Sequence, residues 1–67
     1  MAEIALLAPV ALTVDIPEKG VSRGQLGTIV ETLDSFSESS FLVEFADGQG
    51  QTLALVELRP DQFMVRA

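Results

Sequence analysis

Carboxylates are the side chains best placed to do chemistry in this sequence. Asp15 and Glu18 flank Pro17 within DIPEKGVSRG, and Asp47 and Asp61 follow farther along. Two carboxylates held together support acid–base hydrolysis when their surroundings separate their proton affinities. A site of oxygen ligands alone would select Ca²⁺ or Mg²⁺. His and Cys are both absent, which excludes imidazole or thiolate catalysis and zinc sites built on those ligands. The acids do not follow the spacing of an EF-hand loop. Asp beside Pro and Gly ordinarily accepts backbone N–H groups at turns, and that duty is the expectation for Asp15. No catalytic, cofactor-binding or metal-binding residue is assigned, and the chain is not expected to be an enzyme. A carboxylate-dependent hydrolase is the least favoured reading.

Other chemically suggestive groups reduce to structure in the same way. Gly20, Gly24 and Gly27 do not form G-x-G-x-x-G or a Walker sequence, and no helix pattern follows to supply a dipole for phosphate. They read as turn and bulge residues. Ser35, Ser37, Ser39 and Ser40 read as a connecting loop. Polyproline-binding grooves are built from Trp and Tyr, and this chain has neither. Its aromatics are Phe36, Phe41, Phe45 and Phe63, the last three on strand faces that read as core. Phe36 lies between Ser35 and Ser37, where burial is not demanded. With the apolar Leu6 and Leu7 it forms the candidate contact patch for a protein partner, since aromatic residues are enriched at binding hot spots.

Charge narrows the partner classes. Ten acidic residues stand against Lys19, Arg23, Arg59 and Arg66, for a net charge of −6. Phosphate backbones are bound chiefly by clustered Lys and Arg, so nucleic acid is not an expected partner. An apolar fraction of 48% is rich for 67 residues and places the chain among folding sequences, with homo-oligomerisation a reasonable outlet for surplus apolar surface. MAEIALLAPVAL has no basic leader region, and Asp15 and Pro17 end the apolar stretch well short of the roughly 20 residues that span a bilayer. A cytoplasmic protein without membrane association is expected.

The elements that must carry these residues are strands. Pro9 confines any helix to Ala2 through Leu7. Val10, Leu12 and Val14 then alternate with Ala11 and Thr13 at the period of a half-buried strand. After the long Asp15–Gly24 loop, Gln25 to Leu33 is rich in β-branched residues, with Gly27 marking a bulge or a close backbone approach. Phe41, Val43 and Phe45 alternate with Leu42, Glu44 and Ala46. Asp47 and Gly48 signal a hairpin that Gln49 and Gly50 lengthen. Gln51 to Glu57 follows, with Leu53 and Leu55 on one side and Ala54 and Val56 on the other, the pattern of a strand buried on both faces. Leu58 to Gln62 reads as one tight or 3₁₀ turn around Pro60, and Phe63 to Val65 as a short final strand.

This layout predicts an all-β fold: a small five-stranded SH3-like barrel with a single 3₁₀ turn before the last strand. It forms one domain over residues 1–67, in which 1–8 are an N-terminal extension. An open five-stranded sheet that completes its core by dimerising is the alternative. The stretches VALTVDIPEKGVSRGQLGTIVETL and FLVEFADGQGQTLALVELRPDQF resemble a family of short bacterial proteins known only as a domain of unknown function, over about Val10 to Val65. The resemblance implies an SH3-like barrel similar to KOW-type ribosomal and transcription domains and to small photosynthetic subunits that share the glycine-plus-GTIVE hairpin. RNA-contacting KOW domains are basic, whereas the loops here hold Asp15, Glu18, Asp34 and Glu38, so an RNA role is not implied. Members of that family look like companions of other small genes, toxin and antitoxin partners among them. The expected function is that of an interaction module binding an unidentified protein, by edge-strand pairing or an apolar patch. An antitoxin-like or immunity-like companion is the alternative.

Overall fold

A computed structural model of the chain describes residues 6–34 and 39–66. Five strands make up the fold: β1 (Pro9–Leu12), β2 (Leu26–Asp34), β3 (Ser39–Ala46), β4 (Thr52–Leu58) and β5 (Phe63–Val65). They form one antiparallel sheet in the order β4-β3-β2-β1-β5. The described residues contain no α-helix. A 3₁₀ turn at Pro60–Gln62 precedes β5, as the sequence predicts, and a second lies in the first loop at Pro17–Lys19. This all-β layout is consistent with the expected SH3-like barrel.

Curling of the sheet comes from two register shifts and a glycine. Ile29 pairs with Val43 but Glu31 with Leu42, which leaves Val30 as the extra residue of a bulge on β2. Phe45 pairs with Ala54 but Ala46 with Thr52, which leaves Leu53 as the extra residue on β4. Such bulges bend a strand and increase its twist, so a sheet this small can fold back over its own inner face. Gly27 permits the tightest approach. A Cβ built there would lie 2.8 Å from Val43 Cγ1 and 2.9 Å from two ring carbons of Phe45.

The inner face gathers Val10, Leu12, Val21, Ile29, Phe41, Val43, Phe45, Val56, Leu58 and Phe63 into one buried cluster. Fully burying a side chain of this kind stabilises by about 1.5–3 kcal/mol, so this cluster is the main favourable term. Phe41 and Phe63 meet edge to face, their centroids 5.6 Å apart, the geometry aromatic quadrupoles prefer. Polar groups fix how the elements enter this core. Pro60 opens its turn, Gln62 N–H donates to Arg59 O, and Gln62 Oε1 accepts from Arg59 N–H at 2.8 Å. Thr13 N–H in turn donates to Gln62 O at 2.9 Å, which ties the end of β1 to the start of β5.

Four expectations are corrected. Ser39 and Ser40, expected in the connecting loop, are the first residues of β3, and Ser40 is buried. β1 ends at Leu12, and Val14 lies exposed in the loop beyond it. Leu58, expected in the turn, is the last residue of β4 and is buried because its register partner is Phe41. Most consequentially, β4 is buried on one side only. It packs Val56 and Leu58 into the core, while Leu53 and Leu55 remain more than half exposed at 58% and 54%.

Candidate functional site

The carboxylates singled out for chemistry are spread over three turns. Asp15 Oδ1 accepts the Arg23 N–H at 2.8 Å and so holds the first loop closed. Asp47 Oδ1 accepts from Gln49 N–H at 2.8 Å and Gln51 N–H at 2.9 Å, organising the β3–β4 hairpin; Gly50 completes that turn with φ +84°. Asp61 pairs with Arg59 at 3.2 Å, both side chains being largely exposed, an arrangement of little energetic weight. Glu18 is exposed in the first 3₁₀ turn. Among the described residues no cluster of three or more His, Cys, Asp or Glu could hold a metal ion. A shallow depression of about 360 Å³ is lined by Ser39, Arg59, Pro60 and Asp61, and its one cation is already engaged by Asp61. No helix among the described residues is long and apolar enough to cross a membrane.

The feature that stands out lies on the opposite side of the sheet from the core. Residues directly opposed in an antiparallel pair share a face, so the register defines that surface row by row. One row runs Met64, Ala11, Leu26 across β5, β1 and β2. The next runs Pro9, Thr28, Glu44, Leu55 across β1 to β4. Beyond the β2 bulge a third runs Glu31, Leu42, Glu57. Leu26 is 57% exposed and Met64 63%. With Leu53 and Leu55 on β4, they place large apolar side chains in water on the outer face. Neighbouring strands lie about 4.8 Å apart and residues rise about 3.3 Å each, so Leu26 on β2 and Leu55 on β4, one row apart, stand roughly 12 Å apart across β3.

Three carboxylates interleave with this apolar surface. Glu44 lies on β3, between β4 and β2, and accepts a hydrogen bond from Thr52 Oγ1. Glu57 Oε2 accepts from Ser40 Oγ at 2.6 Å, which satisfies the hydroxyl of a buried serine. Glu31 is exposed on β2. Among the described residues the one ion pair is Arg59–Asp61, so none of these three glutamates has a described cation beside it.

Of the residues expected to form the contact patch, Leu6 and Leu7 are exposed at 57% and 73%. Leu7 N–H donates to Ile29 O at 2.6 Å, so this segment runs alongside β2 ahead of β1. Leu7 also holds a left-handed φ of +66°, uncommon for a residue with a branched side chain. Phe36 lies outside the described residues. Sequence reasoning missed Leu26 and Met64 and placed Leu53 and Leu55 in the core. Strand alternation alone carried no signal for this, because whether a second layer covers the outer face is decided by tertiary structure.

No curated protein and no solved structure matches the chain. One family model does, over residues 6–65, and its span takes in every strand described above. The chain therefore belongs to the family described as Domain of unknown function (DUF4926).

Proposed function

We propose that this protein is a protein-interaction module that docks a partner on the outer face of its sheet, centred on Leu26, Leu53 and Leu55, and that it is not an enzyme. One observation carries the reading: these three leucines, each more than half exposed, are presented by rigid strands rather than by a loop. Several large apolar side chains exposed on one sheet face mark a surface that another molecule covers. Fixed backbone positions also reduce the entropy lost on binding. The candidate carboxylates support the same view, since Asp15 and Asp47 are committed to backbone N–H groups and Asp61 to Arg59. Leu6 and Leu7 are exposed on the segment that runs beside β2, the strand that carries Leu26.

The test is paired capture from the native host with the wild-type chain and with Leu26→Ser/Leu55→Ser. Neither side chain contributes to the core, so the variant is expected to keep its thermal midpoint within a few degrees while losing its specific partner. A partner retained undiminished by a folded double variant would place the binding surface elsewhere.

A further inference from the structure

The outer face also carries information about what covers it. We infer that its occupant is a cationic amphipathic segment of a partner protein, in which Lys or Arg side chains alternate with apolar ones. This inference rests on the outer face being the docking surface, as proposed above, and adds the chemistry of the partner.

Charge complementarity within an apolar frame selects this occupant. Glu31, Glu44 and Glu57 lie on the same face as Leu26, Leu53 and Leu55, and no cation among the described residues neutralises them. Covering this surface with a neutral apolar segment would strip water from three carboxylates and supply no charge in its place, an uncompensated cost even for Glu44 and Glu57, which each accept one hydrogen bond from a hydroxyl. A partner that brings a cation to each removes that cost and gains charge-assisted hydrogen bonds. Glu31 and Glu57 flank Leu42 on adjacent strands, which sets them roughly 10 Å apart, with Glu44 one row away on β3. The complementary segment therefore needs cations interleaved with apolar side chains rather than a single basic block. A second copy of the chain is disfavoured, because its own face would oppose three carboxylates with three more on a body of net charge −6. Anionic lipid and nucleic acid meet the same repulsion.

The experiment titrates the ¹⁵N-labelled full chain with three short synthetic peptides, alternating Leu–Lys, Leu–Gln and Ser–Lys, at moderate salt. Expected is displacement of the Leu26, Glu44 and Leu55 amides by Leu–Lys, with binding about ten-fold tighter than for either other peptide. Glu44→Gln/Glu57→Gln should weaken Leu–Lys binding by about ten-fold, whereas Glu18→Gln/Asp61→Asn, an equal change in charge, should leave it nearly unchanged. Equal losses from the two double variants would reveal only general attraction to an acidic protein and overturn the inference. Equal binding of Leu–Gln and Leu–Lys on this face would also overturn it, while leaving the docking surface intact. Failure of every peptide to perturb the face would count against the docking surface itself. Sedimentation showing a dimer that Leu55→Gln abolishes would assign the face to a second copy, and so overturn the inference.

Discussion

At Gly27 a single added carbon meets two of the most deeply buried side chains. Val43 and Phe45 are fully enclosed and have nowhere to move, and the contacts of 2.8 and 2.9 Å that an added Cβ would make are shorter than packed carbons tolerate. Gly27→Ala should therefore destabilise the fold by about 1–3 kcal/mol through overpacking, read as a lower urea midpoint in far-UV circular dichroism. Gly48→Ala is the matched control, since a Cβ there meets nothing within 4 Å. Equal midpoints for the two variants would show that β2 does not approach β3 as closely as described. The sequence offered Gly27 as a bulge or a close approach, because a glycine inside a β-branched run demands a reason; it is the close approach, and the bulge falls at Val30 instead. Asp15 was legible too, as an acceptor for turn N–H groups, because Asp beside Pro and Gly has few alternative duties. What the residue types alone did not disclose is which carboxylates lack a neighbouring cation, since that depends on strands brought together by the sheet.

Strand β4 shows where an alternating pattern stops carrying information. In β3 the alternation of Phe41, Val43 and Phe45 with Leu42, Glu44 and Ala46 is broken by a charge on one side, so the buried face is readable directly. In β4 both sets are apolar, Leu53 and Leu55 against Ala54 and Val56, and periodicity cannot choose between a strand buried twice and one with an apolar outer face. The layering decides it: the described residues form one sheet, and no second layer covers the outer face of β4, or of β2, where Leu26 is equally exposed. Neighbouring side chains in this strand should then respond oppositely to truncation. Val56→Ala is expected to cost about 2 kcal/mol by emptying part of the core, whereas Leu55→Ser should stay within about 0.5 kcal/mol, as surface changes do. Chemical denaturation of both variants reads the contrast directly. A loss of similar size at Leu55 would restore the two-sided burial that the sequence pattern predicted.

Chain closure sets the stability of the whole molecule. β1 and β5 come from opposite ends of the chain, yet Leu12 pairs with Phe63 and Val10 with Val65. Phe63 also enters the core against Phe41, and Arg66 N–H donates to Pro9 O at 2.8 Å. Long-range pairings of this kind are formed against a large loop-closure entropy, so they depend on the one large side chain that β5 buries. A chain of this length has a total stability of only about 3–10 kcal/mol, with no disulfide to supplement it. Phe63→Ala, which removes about 3–5 kcal/mol, should therefore lower the thermal midpoint by about 15 °C or more. Phe63→Leu should recover much of that loss, because it restores volume without the ring. Hydrogen exchange at a temperature where the variant is still folded separates local from global effects. The Thr13 and Arg66 amides, bonded to Gln62 O and Pro9 O, should lose protection first, ahead of the β2–β3 ladder. Uniform loss of protection across all strands would instead mean that β5 cannot open separately and that the five strands form one cooperative unit.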